Sequence, residues 1–211
     1  MASPKMNSTN RFDQRAQGWD ADPVKVARAQ AVADAIREDN SLSPAMHALE
    51  YGCGTGLLSF ALADRLGHIT LADSSAGMLE VLAEKLAAEP KPNMRLLKLD
   101  LATDPPPSER YDLICSLMTF HHIADIDGIL GKLYALLTTP GYLCVADLDA
   151  EDGSFHGAGF DGHKGFDRND IGARAVRARF RDISFRTVFR MTKDDTAGQK
   201  EFPLFLMVAR K

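Results

Sequence analysis

An α/β fold, a mainly parallel sheet covered by helices on both faces, is what this 211-residue sequence predicts. Three observations carry that expectation. Short apolar runs alternate with segments of helical periodicity. The connections between them are short and marked by Gly, Pro, Asn and Ser. One run, 46–51, feeds directly into a glycine turn and a helix start in H-A-L-E-Y-G-C-G-T-G-L-L, which places the backbone where a ligand can lie against it.

The elements follow in order. Asp22-Pro23 opens a helix whose stripe is Val24, Ala27, Ala31, Val32, Ala35 and Ile36, ended by the turn residues 40–44. After the strand at 46–51, residues 57–66 read as a helix stopped by Gly67 in a left-handed cap. A second strand spans 68–72. Ser74 is the expected cap of the next helix, which carries Met78, Leu82 and Leu86 and stops before Pro90. Strands at 94–99, 111–117 and 142–148 follow, with a helix at 126–137 before the last. Beyond Asp149 the pattern changes. Residues 149–166 form a long loop rich in Gly, Asp and His, a length that is more often functional than accidental, here expected to act as a lid. Asp167 then caps a helix to about Arg179. Strand-like runs at 182–191 and 202–209, joined by 192–200, close the chain as a hairpin.

The composition fits a single domain over 1–211, with 1–44 as an N-terminal arm and cap helix. At 45% hydrophobic and 26% charged residues it is ordinary for a globular protein, and the length suffices for a core without staples. A net charge of -4 supplies no basic field for nucleic acid, although twelve basic residues face nine acidic ones from Glu151 onward. The basic run Arg174 to Arg181 is flanked by Asp167, Asp170 and Asp182 and reads as a solvated helix face, so no nucleic-acid partner is expected. Cys53, Cys115 and Cys144 lack metal-ligand spacing and suit small buried thiols in a reducing compartment. The polar first ten residues and the lack of a long apolar run lead to an expectation of cytoplasmic location without a membrane partner. Oligomeric state is not legible.

The glycine loop decides the ligand class. Read from Gly52, a dinucleotide fingerprint needs its third glycine at 57, which is Leu57; this argues against an NAD-dependent oxidoreductase. The pattern is instead E-x-G-x-G-x-G, with Glu50 ahead of Gly52, Gly54 and Gly56. An acid at the mouth of the loop suits a ligand ammonium better than a pyrophosphate. Asp73 ends the second strand, where a carboxylate can accept from both hydroxyls of a ribose. Asp100 follows the third strand and can accept from an exocyclic amine such as that of adenine. Three acids at successive strand ends thus match ammonium, ribose and adenine in order.

These segments resemble the class I S-adenosylmethionine-dependent methyltransferases over almost the whole chain. E-Y-G-C-G-T-G is similar to the family's first motif, L-A-D-S-S-A-G-M-L to its second and L-K-L-D-L-A to its third. Y-D-L-I-C-S-L-M-T-F-H-H-I and L-T-T-P-G-Y-L-C-V-A-D are similar to the segments of its fourth and fifth strands, and F-D-Q-R-A-Q-G-W-D to the N-terminal cap of small-molecule members. The resemblance implies a Rossmann-like, doubly wound seven-stranded sheet in the order 3-2-1-4-5-7-6, strand 7 antiparallel, with an N-terminal helical cap. It further implies S-adenosylmethionine as cofactor, S-adenosylhomocysteine as product and a small-molecule acceptor. Glu50, Gly52, Cys53, Gly54 and Gly56 would line the methionine end, and Asp73 with Ser74 the ribose. Met78 would pack on the adenine, Asp100 and the Leu101 backbone would read its edge, and Ser116 and Leu117 would approach from the fourth strand. A non-catalytic protein that binds the cofactor as a ligand is the alternative.

Methyl transfer from a sulfonium is an in-line displacement that rests mainly on alignment. If the acceptor is a hydroxyl or amine, a base assists, and His121, His122 and His163 are the candidates, with His156 behind them. A metal site from His121, His122, Asp125 and Asp127 does not fit the spacing, and none is assigned. Phe12 and Trp19, aromatics on the polar arm, either close over the cationic sulfonium or simply dock the arm.

Overall fold

The computed structural model describes residues 8–157, 159–195 and 198–211. The polar start 1–7, Ala158 of the long loop, and Thr196 and Ala197 of the expected hairpin connection lie outside the described residues. Two short N-terminal segments, α1 (Ser8–Arg15) and a 3-10 helix (Ala16–Ala21), precede α2 (Pro23–Asp39). Asp22 caps α2 by accepting from Val24 N at 2.9 Å, worth about 1 kcal/mol. The sheet then alternates with helices: β1 (His47–Tyr51), α3 (Leu57–Leu62), β2 (His68–Asp73), α4 (Ala76–Ala88), β3 (Met94–Lys98), β4 (Tyr111–Leu117), α5 (Ile126–Leu136) and β5 (Leu137–Leu148). The chain ends with α6 (Arg168–Arg177) and the hairpin β6 (Arg181–Asp195) and β7 (Gly198–Arg210).

The strands order as β3-β2-β1-β4-β5-β7-β6. β1 to β5 pair in parallel, and β7 runs antiparallel to β5 and β6. This is the topology implied by the motif resemblance. Because both faces of a parallel sheet are covered, the strands read as continuous apolar runs, and two core clusters result. Val32, Ile36, Leu58, Leu71 and Leu113 belong to one; Leu49, Ile114, Leu130, Val145 and Phe205 belong to the other. All strand C-termini of the parallel part point to one edge, and the order reverses between β1 and β4, so a crevice opens there.

Several boundaries differ from the sequence reading, each for a local reason. The helix after the glycine loop ends at Leu62 instead of 66. Gly67 is not a left-handed cap; a Cβ there would collide with the Pro44 carbonyl, so the glycine serves a close backbone approach. Ser75, one residue later than expected, caps α4 by accepting from Met78 N at 3.1 Å. β5 begins at Leu137, ahead of Pro140-Gly141, and the hairpin strands run through most of 192–200. Periodicity cannot place strand ends where pairing with a neighbour continues through turn-forming residues. Among the described residues no helix is long and apolar enough to cross a membrane.

Candidate cofactor and acceptor cavities

Two cavities adjoin at the C-terminal edge of the sheet. The first, about 450 Å³, lies over the ends of β1, β2 and β4. Its floor is the glycine loop. Gly52 N and Cys53 N donate to Ala72 O at 2.8 and 3.0 Å, pinning the loop to β2. Gly52 has φ +74°, and a Cβ would collide with the Thr119 side chain, so only glycine fits. Gly56 (φ +79°) is the N-cap of α3 and packs on Leu82 and Leu71; it does not line the cavity.

Glu50 is only 2% exposed and lines the cavity. Its Oε2 accepts from Ser59 N at 3.0 Å and from Ser59 Oγ at the start of α3. Burial nonetheless raises its pKa from the ordinary 4.5 to about 8, because the serine bonds only partly offset the loss of water. The carboxyl therefore holds a proton near neutrality until a cation faces it. Asp73 is also raised by burial, although its Oδ2 accepts from Gly54 N at 2.7 Å and its Oδ1 from Ser75 N at 2.8 Å. Each oxygen has a second lone pair, so hydroxyl donors can still be accepted.

Cys53, Gly54, Ser74, Met78, Asp100, Leu101, Leu117 and Trp19 line the same cavity. Met78 is buried on its wall, and a Cβ on Gly54 would lie 3.9 Å from its sulfur. Asp100 Oδ1 accepts from Ala102 N at 2.9 Å. The Leu101 backbone is already engaged: its N–H donates to Tyr51 Oη at 3.2 Å and its carbonyl accepts from Lys132 Nζ. Ser116 sits behind the wall, where its Oγ donates to Tyr51 O at 2.8 Å. Tyr51 and Lys132 were not singled out from the sequence, where a strand tyrosine and a helix lysine carry no ligand signal.

The second cavity, about 750 Å³, is walled by the arm, α2, the turn after β4, the long loop and β6. The arm is docked through its acids. Asp13 Oδ1 accepts from Ser75 Oγ at 2.5 Å and Gly77 N at 2.9 Å, which lowers its pKa. Asp20 pairs with Lys85 at 2.8 Å and accepts from Thr55 Oγ1. Phe12 meets Trp19 and His122 edge-on at 5.9 and 5.1 Å. Lys25 Nζ stands 3.9 Å over the Trp19 ring, so that face already carries a cation. Met118, at φ +55° a strained conformation for its type, lines both cavities at the end of β4. Arg28, 9% exposed, also lines both; its Nη1 donates to Met191 Sδ at 3.2 Å and its Nε has no partner among the described residues. Burial lowers its pKa, partly offset by Asp147 and Asp22.

The histidines divide. His121 and His122 form a 3-10 turn (Phe120–His122) after β4. His121 is buried, with Nδ1 at 2.7 Å from Oδ1 of Asp147, a fully buried β5 residue whose other oxygen accepts from His121 N at 3.2 Å. Burial would raise Asp147, but its contacts with His121 outweigh this and leave it below the usual carboxylate range. His122 faces both cavities, and His156 joins the wall of the second. His163 reaches neither. Its Nε2 must carry a proton to bond the Ile123 carbonyl at 2.9 Å, and its backbone N–H donates to His121 O at 2.7 Å; it ties the loop down. The loop is further held by Glu151, which accepts from Gly153 N and Phe155 N, and by a bidentate Arg168–Asp149 pair at 2.7 Å. The basic run on α6 is paired with acids, Arg174 and Arg177 both meeting Asp127.

A glycine loop between β1 and α3, acids at or just after three strand ends and a sheet of this order define a Rossmann-like architecture with a ligand cavity at its switch point. Residues 48–141 match the family profile of a methyltransferase domain. An uncharacterized methyltransferase of Schizosaccharomyces pombe is 36% identical over 119 residues, 53% of this chain and 42% of that one. A malonyl-[acyl-carrier protein] O-methyltransferase of Acetivibrio thermocellus is 30% identical over 138 residues, 64% of this chain and 47% of that one. The chain thus spans less than half the length of these two relatives. A solved Haemonchus contortus phosphoethanolamine N-methyltransferase 2 in complex with S-adenosyl-L-methionine superposes with a TM-score of 0.73 at 16% identity, over 100% of this chain and 61% of its own; at that identity it speaks for the fold alone. The chain is thus similar to S-adenosylmethionine-dependent methyltransferases in its fold and in the methyltransferase-domain profile that residues 48–141 match.

Proposed function

We propose that this protein transfers the methyl group of S-adenosylmethionine to a small-molecule acceptor that carries an anionic group. The observation that carries the reading is the single cavity rimmed by the glycine loop, Glu50, Asp73 and Asp100. Glu50 suits the ammonium of the methionine moiety, Asp73 the ribose hydroxyls, and Met78 with Asp100 the adenine. The bound cofactor supplies an electrophilic methyl on a sulfonium. The chain's own part is to orient it, exclude water and present the acceptor from the second cavity in line with the methyl.

The anionic preference rests on Arg28. A guanidinium buried beside a thioether, with an unpartnered Nε, gains most from a carboxylate or phosphate oxygen placed against it. Arg15 and Lys193 on the same wall add to the field, while Lys25 is paired with Asp22 at 3.4 Å. The histidines form the polar wall nearest the arm. Calorimetric titration with S-adenosylmethionine, S-adenosylhomocysteine and NAD tests the ligand class, and labelled-methyl transfer into pools of anionic and neutral acceptors tests the reaction. Micromolar binding of the first two alone, with label entering the anionic pool, is expected. Binding of NAD alone would remove the reading, and cofactor binding without transfer to either pool would favour a ligand-binding role.

A further inference from the structure

His121 and His122 follow β4, and His156 comes from the loop after β5, yet their ligand atoms all lie within 4.8 Å of one another. The ring centroids are 4.1, 4.9 and 5.5 Å apart. A tetrahedral ion with metal–nitrogen bonds of about 2.0–2.1 Å places three imidazole centres about 5 Å apart and their ligating nitrogens about 3.3 Å apart. Two of the three ring pairs, at 4.9 and 5.5 Å, already stand near that spacing, and side-chain rotation has to open the His121–His122 pair by about 1 Å and turn the nitrogens to a common centre.

Two further features belong to such a centre. A carboxylate accepts only from an N–H, so the 2.7 Å contact with Asp147 fixes the proton of His121 on Nδ1 and turns the Nε2 lone pair outward. A fully buried acid behind a ligating histidine is the arrangement that orients the ring and raises its basicity. His156 is in turn set by stacking on Phe160, at 3.9 Å between centroids and 21° between planes.

We infer that His121, His122 and His156 form a site for a divalent ion of the zinc class, with its remaining position open to the second cavity. An all-nitrogen set suits Zn²⁺, Co²⁺ or Ni²⁺ and is a poor match for Mg²⁺ or Ca²⁺. On the methyltransferase reading above, an acceptor oxygen would enter that open position, and the ion would lower its pKa and fix it opposite the sulfonium. The linear spacing could not reveal the site, because the third ligand lies beyond β5.

The test uses the full chain, stripped with a chelator and titrated with Zn²⁺, Co²⁺ and Mg²⁺, followed by cofactor titration. One Zn²⁺ or Co²⁺ per chain is expected, with a visible spectrum of tetrahedral Co²⁺ and no saturable Mg²⁺ binding. His156→Ala, a change at an exposed ring, should weaken Zn²⁺ at least about 100-fold while cofactor affinity stays within about threefold. Asp147→Asn should weaken Zn²⁺ about 10–100-fold, and His163→Ala should leave it unchanged. Absence of stoichiometric binding, or binding that survives His156→Ala and so resides elsewhere, for instance at the His47–His68 pair, would overturn the site. Zn²⁺ binding without cofactor binding would instead remove the methyltransferase reading and leave the metal site standing.

Discussion

The two cavities are built in opposite ways. The first is assembled from residues at or next to the ends of their strands: Glu50 stands one residue before the end of β1, ahead of Gly52 and Gly54, Asp73 closes β2, and Asp100 follows β3. The second draws Phe12 from the arm, Arg28 from α2, His121 from the turn after β4, His156 from the long loop and Lys193 from β6. A site made of local motifs tolerates little change in its backbone, whereas a site made of distant side chains can change ligand without disturbing the fold. That difference teaches where substitutions should act on cofactor and where on acceptor.

The largest expected effect breaks the local site. Gly52→Ala forces an L-residue to φ +74° and drives a methyl into Thr119, so cofactor affinity should fall at least about 100-fold and the melting temperature should drop. Gly157→Ala, at a similar φ of +80° but with nothing within 4 Å, should leave cofactor affinity within about twofold. Calorimetry on the pair checks both; equal losses would mean that backbone strain, not the Thr119 contact, governs the effect.

Next is Glu50→Gln, which separates stability from function. The folded pKa of about 8 lies above the ordinary 4.5, so the protonated acid contributes stability that is fully present below 4.5 and lost as pH rises through 8. The amide cannot ionise. The variant without ligand should therefore melt at least about 3 °C higher than wild type at pH 9, yet bind cofactor about tenfold or more weakly at neutral pH. A thermal scan and a binding titration decide it; a lower melting temperature at pH 9 would contradict the burial argument.

Arg28→Met probes the distant site. Removing a buried, poorly paired charge should leave stability equal or raise it, and raise the KM of an anionic acceptor about tenfold. Unchanged acceptor kinetics would break the assignment of this wall. The smallest effect is expected from Asp13→Ala, which deletes two bonds to the start of α4 and should cost about 1 kcal/mol by denaturant titration.

The same contrast explains what the sequence disclosed. The order of the sheet and the rim of the first cavity were legible because strand, glycine turn and acid lie within a few residues of each other. Within that rim, partners made by packing were not: Tyr51 occupies the Leu101 amide, and Ser116 supports the wall without lining it. Ser74 and Ser75 are adjacent, and only geometry decides which one caps α4. The second cavity was legible only as a list of aromatics and histidines. His163 has the right residue type but bonds the Ile123 carbonyl, while His156, ranked lower, joins His121 and His122. Arg28 looked like one more charge on a helix, since burial at a cavity wall leaves no mark in helical periodicity.

The central claim is that Glu50 meets the ammonium of S-adenosylmethionine at the glycine loop. Calorimetric binding at pH 7 in buffers of different ionisation enthalpy reads it most directly, because the carboxyl holds a proton near neutrality and must give it up when the cation arrives. Release of about one proton per cofactor, abolished in Glu50→Gln, is the predicted result. Tight binding with the same proton count in wild type and Glu50→Gln would contradict the account and place the ammonium elsewhere.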